Sequence, residues 1–234
     1  MTINGIAMYE NYRKYDIEEK MHRMKVRPLD VMVTGATGAG KSTTLNALFE
    51  RYVAKVGDGV DPETMNLTAY SLNEVARFWD TPGVGDGVIN DINHERKIKE
   101  LLHKTYTIEG KSYGWIDLVL IILEGITRDM GSTYRLLSDV IIPNFQSDRI
   151  LIAVNQCDVA MKGRHWDSTY CRPEWQLRNF LDEKVLSIKN RLRESAGIDI
   201  VTPIYYSGEY GYNIDKLMDL IIDHIPYERR PLMR

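Results

Sequence analysis

Residues 35–42 read Gly-Ala-Thr-Gly-Ala-Gly-Lys-Ser, a glycine-rich run closed by a lysine and a hydroxyl. Glycines let the backbone turn so tightly that successive N–H groups converge on one point, and a lysine beside them adds positive charge. A serine hydroxyl is a hard-cation ligand. The run follows an apolar stretch, 29–34, and opens a helix-like segment, 43–52. G-x-x-x-x-G-K-S between strand and helix is the phosphate-binding P-loop in its required context. The cradle predicted for a nucleoside triphosphate comprises Gly35, Thr37, Gly38, Ala39, Gly40, Lys41, Ser42 and Thr43. Lys41 would reach the β- and γ-phosphates, and Ser42 would hold Mg²⁺. The alternative, a strand-to-helix turn that binds nothing, requires every defining position to be filled by coincidence.

Two further motifs sit at strand ends. In Trp79-Asp80-Thr81-Pro82-Gly83, Asp80 has the place of a second Mg²⁺ contact, usually made through water, and the Gly83 N–H has the place of a γ-phosphate sensor. In Asn155-Gln156-Cys157-Asp158 the chemistry selects a base. A carboxylate at Asp158 accepts hydrogen bonds from guanine N1–H and the 2-amino group. Adenine would turn a lone pair toward it and leave a charge unpaired. Asn155 would tie this loop to the P-loop and touch the purine, with Gln156 beside it. A strand-end turn using Asn and Asp for local bonds is the competing reading. Tyr206-Ser207-Gly208 is a weaker signal, a turn that would set a backbone N–H of Ser207 or Gly208 on the guanine carbonyl.

The elements that must position these residues alternate strand and helix. Strands are predicted at 29–34, 67–73, 75–80, 116–123, 149–155 and 202–207, and helices at 42–52, 92–106, 132–142, 173–196 and 214–225. Nearly continuous apolar runs such as Leu118–Leu123 and Ile150–Val154 suit strands buried on both faces of a parallel sheet. The segment 173–196 repeats Leu177, Leu181, Val185, Ile188 and Leu192 at helical spacing, with Gly197 just past its end. Asn213 is the expected N-cap of the last helix. Residues 1–28 read as a charged helical extension with Ile17, Met21 and Met24 on one face, 29–228 as one α/β domain, and 229–234 as a short basic tail.

Of 234 residues 44% are hydrophobic and 27% charged, enough for a full core. Thirty basic against 33 acidic residues give a net charge of −3, so composition supports no general attraction to nucleic acid, ribosome or anionic membrane. The two cysteines, Cys157 and Cys171, lack metal-type spacing. No signal pattern opens the chain and no apolar block is long enough to span a bilayer, so a cytoplasmic protein is expected.

The order GATGAGKS, DTPG, NQCD and YSG resembles the Ras-like G domain over residues 29 to about 226. GATGAGKSTTLNAL with DTPG looks most like the Era/TrmE-type bacterial GTPases, a group often labelled ribosome-binding, and 159–167 is similar to its YfjP/YeeP-like subgroup. The resemblance implies a three-layer α/β fold around a mostly parallel six-stranded sheet, with GTP/GDP and Mg²⁺ as cofactors. It implies a switch I at 53–68 and a switch II at 83–97. Thr64 is the expected switch threonine, a Mg²⁺ ligand with a catalytic role beside Lys41; Thr68 is the other candidate.

Three positions depart from family patterns. Val84 stands where Ras has a water-orienting glutamine, so water must be positioned by backbone, another switch residue or a partner. Asp86, Asn90, Asp91, His94 and Glu95 lie nearby and read as solvated loop or helix-cap residues. Gly38 replaces the asparagine of potassium-activated relatives, and Gln156 replaces the lysine of N-K-x-D, which lowers the expected cover over the base. Arg128 reads as a surface arginine. The expected activity is slow, Mg²⁺-dependent hydrolysis of GTP by a nucleotide-controlled switch with an unknown effector. A homodimer across the nucleotide face is a further expectation, resting on Val84. The competing readings are a nucleotide-gated scaffold with negligible turnover and an ATP-using P-loop enzyme.

Overall fold

Unbroken apolar sequence forms the middle of the molecule because both faces of its central strands are covered. The computed structural model describes residues 9, 11–24, 28–49, 68–85, 87–126 and 131–233. A six-stranded sheet runs β10-β7-β6-β1-β3-β2. Its strands are β1 (Leu29–Gly35), β2 (Thr68–Ser71), β3 (Ala76–Asp80), β6 (Leu118–Glu124), β7 (Ile150–Asn155) and β10 (Ile204–Tyr205). All neighbours pair in parallel except β2, which runs antiparallel to β3 with Thr68 opposite Asp80.

Alternation along β6 divides the core. Leu118, Leu120 and Ile122 join a cluster that includes Ile17 and Met21 of α1 (Lys14–Met24), Leu45 and Leu48 of α2 (Lys41–Phe49), and Leu217 and Ile221 of α6 (Ile214–Asp223). Val119, Ile121 and Leu123 join another with Ile98 and Leu101 of α3 (Val88–His103) and with Val185, Ile188 and Leu192 of α5 (Trp175–Ala196). Leu136, Leu137, Val140 and Ile141, in the π-helical turn Leu136–Ile141 after α4 (Gly131–Arg135), complete that face. Helices therefore cover both faces of the sheet, the three-layer architecture expected from the sequence. Among the described residues no helix is long and apolar enough to cross a membrane.

Several boundaries differ from the sequence reading. α3 begins at Val88 and stops at His103, where an antiparallel hairpin of β4 (Thr105–Ile108) and β5 (Lys111–Gly114) takes over. A second small hairpin, β8 (Trp166–Asp167) with β9 (Arg172–Pro173), precedes α5 and takes Pro173 out of the helix. Asn213 occupies the N-cap position of α6 at φ 57°, but its side chain does not cap. Its Nδ2 donates instead to the Tyr205 carbonyl at 2.9 Å. Gly197 does end α5 as expected, in the left-handed region at φ 67°.

The α1 helix is part of this body. Arg13 pairs with Asp219 at 2.7 Å and Asp223 at 2.8 Å, and Lys20 donates to the Ile222 carbonyl of α6 at 2.6 Å. Residues after α6 pack against the opposite end of the sheet. The Arg230 guanidinium lies buried over Phe145 and donates to the carbonyls of Ile116 and Leu102. Arg229 donates to the Met24 carbonyl of α1 at 2.8 Å. Two arginines of the basic tail are thus anchors in the fold.

Candidate functional site

The P-loop, the DTPG turn, the NQCD loop and the YSG turn follow the carboxyl ends of β1, β3, β7 and β10, parallel strands whose ends lie on one side of the sheet. The P-loop leaves β1 at Gly35 and enters α2 at Lys41. Gly40 sits at φ +81°, and a Cβ there would lie 2.2 Å from Asn155 Nδ2, so the close approach of the base loop requires glycine. The Lys41 ammonium donates to the carbonyls of Ala36 at 3.0 Å and Gly35 at 3.3 Å, curling over the loop it terminates. Thr44, one residue beyond the predicted cradle, donates its Oγ1 hydrogen or accepts one within 2.6 Å of the buried Tyr206 hydroxyl, and lies 2.7 Å from the Gly40 carbonyl. Burial pushes the Tyr206 phenol up.

β3 delivers Asp80 beside this loop, in register with Val33 of β1. One carboxylate oxygen, Oδ1, is buried with no hydrogen-bond partner among the described residues. Burial raises the Asp80 pKa, against the opposing pull of the Lys41 charge and the Thr81 backbone. Thr81 then pins the turn by donating both its N–H and its hydroxyl to the Val33 carbonyl. A Cβ on Gly83 would stand 2.5 Å from Thr37 Oγ1 and 2.8 Å from Lys41 Nζ, so this glycine abuts the P-loop.

Val84 turns inward. It is 4% exposed, packs with the core under α3, and makes a parallel bridge to Ala36. Its N–H donates to the Gly35 carbonyl at 3.3 Å and its carbonyl accepts from Thr37 N–H at 2.8 Å. The position of the Ras glutamine is therefore a core plug and a backbone splice to the P-loop. Two α3 side chains that sequence reasoning assigned to solvent reach this segment. Asp91 Oδ1 accepts the Gly85 N–H at 2.7 Å, and His94 Nδ1 lies 2.6 Å from the Gly83 carbonyl. Their spacing of three on one helix face was the available signal.

At the other end, Asn155 is buried and bridges three segments. Its Nδ2 donates to the Ala39 carbonyl at 3.0 Å, and its Oδ1 accepts the Gly208 N–H at 3.0 Å. Gln156, at φ 60°, donates from Nε2 to the Gly38 carbonyl at 2.9 Å. The amide that replaces a lysine thus makes a second tie to the P-loop. Asp158 is 8% exposed, and its Oδ1 is buried without a hydrogen-bond partner among the described residues. Ser207 is buried; its N–H donates to the Tyr212 carbonyl at 3.0 Å, and its Oγ accepts the Tyr210 N–H at 3.2 Å. The Ser207 and Gly208 N–H groups are both engaged within the protein, so they shape the loop rather than stand open toward a base. Thr64 and Arg128 lie outside the described residues, and Thr68 opens β2.

The arrangement brings together a phosphate-type cradle, a half-buried carboxylate beside it with one oxygen in the interior, and a buried carboxylate in a loop tied to the cradle. A family model described as a 50S ribosome-binding GTPase matches residues 30–156. The tRNA modification GTPase MnmE of Parabacteroides distasonis is 28% identical over 135 residues, 56% of this chain and 26% of that protein. A mouse T-cell-specific guanine nucleotide triphosphate-binding protein is 34% identical over 90 residues, 36% of this chain and 21% of its own length. The chain therefore spans about a quarter or less of these relatives. Toc33 of Arabidopsis thaliana, solved with Mg²⁺ and GMPPNP, superposes with a TM-score of 0.61 at 14% identity, covering 99% of both chains. The bacterial dynamin GTPase LeoA from ETEC gives 0.55 at 13% identity, over 90% of this chain and 38% of that one. At such identities these structures speak for the fold alone.

Proposed function

This chain belongs to the 50S ribosome-binding GTPase family, and from that premise we propose that it binds GTP with Mg²⁺, hydrolyses it to GDP and phosphate, and acts as a nucleotide-controlled switch. The observation that carries the choice of base is Asp158, whose Oδ1 is buried without a partner among the described residues, in a loop that Asn155 and Gln156 fasten to the P-loop. Two donors on the guanine edge would satisfy it, and adenine offers none there.

The residues present suit a hard divalent cation. Asp80 supplies an orphaned, buried carboxylate oxygen, and Ser42 a hydroxyl in the first turn of α2. Bound there, Mg²⁺ would neutralise charge on the β- and γ-phosphates. Lys41 would leave the P-loop carbonyls for phosphate oxygens, and amides of residues 38–43 would cradle the chain of phosphates at the start of α2. Gly83 would sense the γ-phosphate through its N–H, with Thr64 as the switch threonine. Release of that phosphate would free both contacts, a change that a partner can read.

The family's name refers to the ribosome; we propose the family's nucleotide chemistry for this chain and assign it no ribosomal partner. A scaffold that binds nucleotide with negligible turnover is the second reading, favoured by the inward-facing Val84. Competition of GDP against ADP for the purified chain tests the base assignment, with strong preference for GDP expected and equal binding contradicting it.

A further inference from the structure

Gly83 must be glycine because the P-loop stands against it, yet glycine does not fix its own backbone. Its orientation therefore depends on what its neighbours hold. On one side the P-loop grips the next residue, through Val84 N–H to the Gly35 carbonyl and Thr37 N–H to the Val84 carbonyl. On the other side α3 grips both flanks, Asp91 taking the Gly85 N–H and His94 facing the Gly83 carbonyl at 2.6 Å. A carbonyl only accepts, so the hydrogen of that bond resides on His94 Nδ1.

We propose that His94 is a positioning residue for GTP hydrolysis: its Nδ1–H holds the Gly83 carbonyl, and so the Gly83–Val84 peptide. Together with the turn pinned at Thr81, that peptide sets the direction in which the N–H of the preceding Pro82–Gly83 peptide meets the γ-phosphate. This rests on the nucleotide reading above and deepens it. The constraint comes from α3 because position 84, where Ras has a water-orienting glutamine, is spent on the core and on the P-loop bridge. A donor held in place before reaction stabilises developing charge without reorganising, so a glycine free to swing loses that advantage. GDP has no γ-phosphate, so its binding is indifferent to the same loss.

The test uses the full chain with His94→Ala and His94→Asn. Asparagine places an N–H close to where Nδ1 stands, and alanine removes it. For each variant kcat and KM for GTP are measured, with Kd for GDP and for a non-hydrolysable GTP analogue, and thermal melting as a check on folding. His94→Ala is expected to lower kcat by about tenfold or more and to narrow the preference for the analogue over GDP. GDP affinity is expected to stay within about twofold. His94→Asn is expected to recover most of both losses. An unchanged kcat in His94→Ala overturns the proposal. So does an equal loss of affinity for both nucleotides, which marks a purely structural residue, or an asparagine variant no better than alanine. Absence of turnover in the parent chain would count against hydrolysis itself, and the analogue-to-GDP ratio would still decide the role of His94.

Discussion

A carboxylate oxygen kept in the interior without a hydrogen-bond partner costs stability, and two of the motif residues, Asp80 and Asp158, each carry one that has no partner among the described residues. Asp158→Asn exchanges an acceptor for a donor at the base edge. GDP affinity should fall by roughly a hundredfold or more while xanthosine diphosphate gains, read by competition between the two. Asp80 makes the complementary case. Burial raises its folded-state pKa above the unfolded value, so the folded chain holds that proton more tightly. Its contribution is then most favourable at low pH and is lost as pH rises from the unfolded toward the folded pKa. Asp80→Asn should stabilise the nucleotide-free protein near neutral pH by on the order of 1 kcal/mol, flatten this pH dependence, and abolish Mg²⁺-dependent GTP binding. Urea unfolding at several pH values, with and without Mg²⁺ and GTP, checks all three parts.

The elements show which physical signals a sequence exposes. Strands β1, β6 and β7 were legible because burial on both faces demands nearly continuous apolar runs, and α5 because its stripe from Leu177 to Leu192 spans about four turns and the helix closes on Gly197. The β4–β5 hairpin was not legible. Its turn uses Glu109 and Gly110, both at positive φ, and a glutamate gives no advance notice of that conformation. The motifs themselves located the site, since phosphate cradles need particular residues in sequence order. The inward turn of Val84, the reach of His94 to Gly83, and the Thr44–Tyr206 pair were hidden because each depends on how distant elements pack. That last pair supports a prediction about α2. Tyr206→Phe removes a buried hydroxyl that joins the strand-end loop to the first turns of α2, and should cost about 1 kcal/mol in urea unfolding. GDP affinity should fall only slightly.

On the scale of the whole molecule, chemistry and fastening occupy opposite ends of one sheet. The nucleotide motifs stand at the carboxyl ends of β1, β3 and β7, while the segment after α6 closes the other end through Arg229 and Arg230. Arg230→Ala would leave the carbonyls of Ile116 and Leu102 short of a donor and open a void beside Phe145. A loss of about 3 kcal/mol in unfolding free energy is expected, with kcat for GTP unchanged under conditions where the variant is folded. The central claim concerns the other end. Its most direct test is hydrolysis of GTP by the pure protein, with and without Mg²⁺, over a wide range of protein concentration and beside ATP as control. Turnover of GTP that requires Mg²⁺ and disappears in Lys41→Ala is expected, with ATP left intact. A rate per molecule that rises with concentration would place a second copy at the nucleotide face. GTP left unhydrolysed at every concentration, or ATP consumed equally well, would contradict that claim.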